Sequence, residues 1–123
     1  MPLAKNVMRA GLSAGAARAV NGNEMQSTIT AAGTTQGTAA AMEGDVNIIS
    51  TATVGQGGIL SAYAIAGDDQ LVYNATDVSV KVYPPSGGKF NQLAANTGFV
   101  LPQYTGVVCK KVTATQWLGF VSA

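Results

Sequence analysis

The chain has 123 residues, enough for one domain with room for an appendage. Apolar residues make up 47% of it and charged residues only 11%, against ~25% in an ordinary soluble protein. It contains no histidine and one cysteine, Cys109, which removes the usual general base and every Ser-His or Cys-His nucleophile, and excludes an internal disulfide.

The net charge of +1 hides a segregated layout. Residues 1–22 carry Lys5, Arg9 and Arg18 and no acid; residues 24–77 carry all the acids and no base; residues 81–111 carry Lys81, Lys89, Lys110 and Lys111 and no acid. Three dispersed cations without interleaved aromatics are too few to track a phosphate backbone, so nucleic acid is not an expected partner. No uninterrupted apolar run is long enough to span a membrane, and neither a secretory signal nor a membrane partner is expected. Charge this sparse points to a surface that is either polar-neutral or partly buried against partners, and the second alternative implies an oligomer or a component of a larger assembly.

The first 44 residues are dominated by Ala, Gly, Thr, Ser and Asn. Leu3, Val7, Met8 and Leu12 fall near one helical face, but Gly11 and Gly15 each cost about 1 kcal/mol in a helix. We expect residues 1–44 to form an extended arm that orders on docking, with short strands at Thr28–Thr30 and Thr38–Met42 around a Gly33–Gly37 turn. Residues 45–123 read as a β domain. Val46–Thr51 is a strand, Gly55–Gly58 a turn, Ile59–Ile65 a second strand and Gln70–Tyr73 a short third. After a turn over Asn74–Asp77, Val78–Tyr83 alternates, placing Val78, Val80 and Val82 on the core face and Ser79, Lys81 and Tyr83 on the other.

Pro84 and Pro85 cannot donate to a ladder, so that strand must stop there, and Gly87 and Gly88 supply the positive φ for a rigid corner. Gly98–Leu101, Gly106–Val112 and Gln116–Val121 complete the set, with Trp117 plugging the core. Short strands between turn signals spaced about 8–12 residues apart point to an all-β protein, a sandwich or a small barrel in place of a parallel α/β sheet, with an extended N-terminal arm.

No catalytic constellation follows from these residues, and no enzyme activity, metal or cofactor is expected. Asp68 and Asp69 are adjacent and point to opposite faces in an extended segment, so they cannot act as a carboxylate pair. Gly55-Gln56-Gly57-Gly58 lacks the Lys-Ser/Thr of a phosphate loop and reads as a hairpin turn. Cys109 sits in an apolar run and reads as a small buried hydrophobe.

The segments Gly67-Asp68-Asp69, Val72-Tyr73-Asn74, Val80-Lys81-Val82-Tyr83-Pro84-Pro85-Ser86-Gly87-Gly88, Leu93-Ala94-Ala95-Asn96 and Ala114-Thr115-Gln116-Trp117 together resemble small virion structural proteins of tailed bacteriophages, in particular capsid decoration (cement) proteins. Thr34-Thr35-Gln36-Gly37-Thr38-Ala39 is similar to the segment that often precedes the first strand in that family. The resemblance covers residues 34–123 and implies a small antiparallel β-sandwich, jelly-roll-like, that forms a homotrimer or dimer on the outside of a head shell, with the major capsid protein as partner. It implies a place on the capsid exterior of the virion, after synthesis in the host bacterial cytoplasm, and brings no catalytic residues. The arm departs from the recognised part; its Lys5, Arg9 and Arg18 are our candidates for contacts with acidic capsid surface. The competing expectation is a head-fibre or tail-associated module that touches host glycan or protein through Tyr73, Tyr83 or Tyr104.

Overall fold

The structure is a computed structural model and describes residues 25–122. It is all-β, with ten strands: β1 (Met25–Thr30), β2 (Ala40–Met42), β3 (Val46–Thr51), β4 (Gly57–Leu60), β5 (Asp69–Asn74), β6 (Val80–Tyr83), β7 (Lys89–Phe90), β8 (Phe99–Leu101), β9 (Gly106–Lys111) and β10 (Gln116–Val121), plus a 3₁₀ turn at Gln36–Thr38. They form a six-stranded sheet in the order β1-β3-β5-β9-β10-β7 and a four-stranded sheet in the order β2-β4-β6-β8.

The chain alternates between the two sheets from β1 to β6. Within each sheet the successive strands pair in parallel: β1 with β3 and β3 with β5 in one, β2 with β4 and β4 with β6 in the other. Each strand pair is therefore one turn of a coil, and the turns stack as in a solenoid. The C-terminal strands then close the coil antiparallel, β8 on β6, β9 on β5 and β10 on β9, with β7 parallel to β10 at the far edge. The antiparallel pairing expected from the sequence is thus confined to β6/β8, β5/β9 and β9/β10, and the sheets are mixed. Side-chain alternation has period two in either pairing mode, so the pattern reports a strand without reporting its direction.

The composition change near residue 45 is not a boundary of this fold. Strands β1 and β2 are built into the two sheets, and Ile29, Ala31 and Met42 are buried in the same cluster as Ile49, Leu60, Val72 and Leu101. Small residues admit this packing: a Cβ on Gly58 would stand 2.6 Å from Met42 Sδ, so glycine there makes room for the thioether. The expected core residues Val80, Val82 and Trp117 are buried, whereas Val78 lies before β6 and is half-buried. Phe90 joins Trp117 in the core and meets Phe99 edge to face, with ring centroids 4.7 Å apart at 87°.

Three buried amides hold the crossings between sheets. Gln70, near the start of β5, donates from Nε2 to the carbonyls of Met42 and Gly44, each at 2.8 Å, and accepts from Ser61 N–H at 2.9 Å. Asn74, at the other end of the strand, donates from Nδ2 to the carbonyls of Val78, Leu101 and Pro102, and accepts from the N–H and hydroxyl of Thr76. Asn47 donates to Gly44 and Leu71 carbonyls and accepts from Gly44 N–H. These are inward positions that an apolar side chain would ordinarily fill. They hold amides because the crossings bring backbone carbonyls and N–H groups under the ends of the sheets, and a buried polar group without a partner is costly.

Replacing Asn74 with Ala strands several of these groups together and should lower unfolding free energy by about 2–4 kcal/mol in urea titration. Ser50→Ala, on the exposed side of β3, should change it by less than about 0.5 kcal/mol. Equal effects from the two substitutions would show that the amide does not carry the crossing.

Candidate functional site

Residues around Thr34–Gln36, Tyr83–Gly88 and Asn96 meet in space. Tyr83, at the end of β6, is buried, and its hydroxyl donates to the carbonyl of Thr34 at 3.1 Å. Tyr83 shares the outer face of its sheet with Lys81, as the alternation predicts, but there it is covered by the segment around Thr34 and buried. Glycines make room for its ring: a Cβ on Gly98 would lie 2.7 Å from Cδ1, and one on Gly57 would lie 3.0 Å from Cε2.

One residue on, Gln36 of the 3₁₀ turn donates from Nε2 to Pro84 carbonyl at 2.7 Å and to Asn96 Oδ1 at 3.1 Å. Asn96 Oδ1 also accepts from Gly87 N–H at 2.6 Å, and Asn96 N–H donates to Gly88 carbonyl. Pro84 and Pro85 are buried, and the reversal uses Gly87 at φ +85°. Gly88 has a different reason: a Cβ there would stand 3.0 Å from Pro85 carbonyl oxygen. The corner is a hydrogen-bonded brace between the 3₁₀ turn, the end of β6 and the loop before β8. It ties separate parts of the one chain together.

The candidate chemical groups are likewise engaged in structure. Asp68 Oδ2 accepts from Ile65 N–H at 2.9 Å, and Asp69 pairs with Lys110 at 2.9 Å, so the acidic middle of the sequence meets the basic end within one molecule. Lys111 is buried, donates from Nζ to Ala64 carbonyl at 2.6 Å and lies 5.9 Å from the centroid of the Trp117 ring. Glu43, Asp45, Asp68 and Asp69 line one shallow groove beside Tyr63 and Gln70, but among the described residues no His, Cys, Asp or Glu group is arranged to hold a metal ion. Cys109 faces the core, and desolvation by burial pushes its thiol up to about 12.

The feature that pattern reading missed is the outer face of the six-stranded sheet. Cross-strand register sets Met25 beside Val46, Val46 beside Leu71, Leu71 beside Val108 and Val108 beside Phe120, so one apolar row crosses five strands. Ile48 beside Tyr73 adds a second row. Met25 and Phe120 are 61% exposed, Val108 39% and Tyr73 37%. Among the described residues, the charged side chains within this part of the face are Asp69 and Lys110, which pair with each other at one margin. A signal was present in the sequence: Val107-Val108-Cys109 and Val46-Asn47-Ile48-Ile49 are apolar on both sides of the alternation, the pattern of strands covered on both faces.

Lys5, Arg9 and Arg18 lie outside the described residues. Of the three tyrosines weighed for glycan contact, Tyr73 and Tyr104 are exposed, and Tyr83 is buried. No helix among the described residues is long and apolar enough to cross a membrane. No protein-family model matches the chain, and no curated protein matches it.

Two measurements check this account. In the folded protein at pH 8, Cys109 should react with a thiol reagent orders of magnitude more slowly than in denaturant, because the thiolate is the reacting form and burial suppresses it; rapid modification without denaturant would refute its placement. Tyr83→Phe, which deletes the hydroxyl and keeps the ring, should cost about 1 kcal/mol by denaturant titration.

Proposed function

We propose that this protein is a structural component of a tailed-phage virion: a capsid decoration (cement) protein that binds the outside of the head shell and stabilises the expanded lattice as an oligomer. The observation that carries the reading is the exposed apolar face of the six-stranded sheet. A soluble domain rarely leaves so continuous an apolar row uncovered, and large uncovered patches mark surfaces that bind other proteins or membranes. The charge-poor composition and the family resemblance support the same reading, in which the partners are the major capsid protein and further copies of the chain, as a homotrimer or dimer.

Lattice stabilisation needs many shared, individually weak contacts in place of one deep pocket, and multivalent attachment turns such contacts into firm binding. Lys5, Arg9 and Arg18 supply the complementary charge toward acidic shell surface in this reading. The brace around Tyr83 and Pro84 holds the scaffold that presents these surfaces. The alternative, a head-fibre or tail-associated module, retains Tyr73 and Tyr104 as exposed aromatics for a glycan.

Purified full-length protein should co-sediment with expanded, undecorated shells at a stoichiometry set by the shell lattice, and should raise the temperature at which those shells fall apart. Charge reversal of Lys5, Arg9 and Arg18 together should weaken binding, most visibly at low ionic strength. Absence of shell binding, or a copy number per virion that matches tail symmetry, would remove the decoration reading.

A further inference from the structure

We propose that the loop over residues 61–68 is a pre-shaped docking element whose tip, Tyr63 and Ile65, enters an apolar, basic-rimmed pocket on the shell protein. The inference rests on the decoration reading for its partner. It adds the element that makes the contact and the residue, Lys111, that holds that element in shape.

The loop is fixed through its backbone along most of its length. Ser61 N–H donates to Gln70 Oε1, Tyr63 N–H to Ser61 Oγ and Ile65 N–H to Asp68 Oδ2. Gly67 N–H donates to Lys111 carbonyl, and Lys110 Nζ donates to Gly67 carbonyl. Yet the two large side chains stand in solvent, Tyr63 at 89% exposure and Ile65 at 69%. A loop ordered for the sake of the core would bury them. Ordering the backbone beforehand lowers the entropy lost on binding, and a tyrosine on a rigid loop is an effective anchor at an interface.

Lys111 shows that this order comes at a cost. It takes an inward position on β9, in line with Val107 and Cys109, and is buried. Among the described residues its ammonium pairs with no carboxylate. It donates to Ala64 carbonyl at 2.6 Å and stands 5.9 Å from the centroid of the Trp117 ring. An apolar side chain would serve the core better there, because a buried charge without a counter-ion is destabilising. What the ammonium supplies, and an apolar residue cannot, is a hold on the loop at Ala64, between Tyr63 and Ile65.

Charge decides the kind of partner. Glu43, Asp45, Asp68 and Asp69 line the groove at the foot of the loop, and Lys110 pairs with Asp69. An anionic membrane surface repels such a foot, and two copies meeting loop to loop set acid against acid. A protein pocket that takes the tyrosine and carries cations at its rim matches the loop on both counts.

The test is co-sedimentation of the full-length protein with expanded, undecorated shells, alongside flotation with vesicles of phosphatidylcholine, with and without phosphatidylserine. Tyr63→Ala should keep the wild-type urea midpoint and weaken shell binding about tenfold or more. Tyr104→Ala, exposed elsewhere, should bind shells as the wild type does. Lys111→Met should unfold at the same or a higher urea concentration, exchange the amides of residues 62–67 faster, and bind shells more weakly. Should Lys111→Met fail to fold, Tyr63→Ala and Ile65→Ala decide the matter at the loop tip. A folded Tyr63→Ala variant that binds shells normally overturns the inference and leaves the decoration reading standing. Vesicle flotation that Tyr63→Ala abolishes overturns it as well, by making the loop a membrane anchor. Wild-type exchange rates in the loop of Lys111→Met overturn the role given to Lys111. A wild-type protein that ignores shells removes the decoration reading, and the loop's partner with it.

Discussion

The fold depends on satisfying the backbone where the chain crosses from one sheet to the other. Parallel pairing in both sheets forbids tight hairpins through the first six strands, so every strand must be followed by a crossing. Each crossing carries carbonyl and N–H groups into the region beneath the sheet ends, where water does not reach them. Gln70 and Asn74 sit at opposite ends of β5 and answer this at both ends of the stack, one gripping residues 42–44 and 61, the other residues 76, 78, 101 and 102. Asn47 completes the arrangement from β3. The small apolar core can tolerate these inward amides because each is saturated with partners.

The same logic explains the segment from Tyr83 to Gly88. A Tyr-Pro-Pro-Ser-Gly-Gly run reads as an external turn, but here it is internal bracing. Proline ends the ladder, Gly87 reverses the chain, and the freed carbonyl of Pro84 is taken by Gln36 from a segment 48 residues away. Asn96 then ties the reversal to the loop before β8. A signature of this kind specifies how parts of a scaffold are joined. It therefore speaks to architecture, and function has to be sought on surfaces the brace merely positions.

The surface of most interest is the one made by residues that alternation assigns to solvent. On β9 the inward Val107 and Cys109 and the outward Val108 are all apolar, and the same holds for Ile49 and Ile48 on β3. A strand that is apolar on both faces is built to be covered twice, once by the opposite sheet and once by something else. Three amides sit beside the apolar interior because the crossings require them, while the exterior of the six-stranded sheet carries Val, Leu, Tyr and Phe.

The sequence by itself determined the β class, the burial of Val80, Val82 and Trp117, the stop at Pro84 and the reversal at Gly87. These follow from short-range rules, namely period-two alternation, the missing proline donor and glycine's access to positive φ. The tertiary structure decided the parallel direction of the first strands, the inclusion of β1 and β2 in the sheets, the half-buried place of Val78 and the covering of Tyr83 by the segment around Thr34. It also decided which residues form the outer row. Alternation is the same for parallel and antiparallel neighbours, and alanine and glycine pack or lie exposed according to what stands opposite them. Register between distant strands is fixed by contacts that no local window contains.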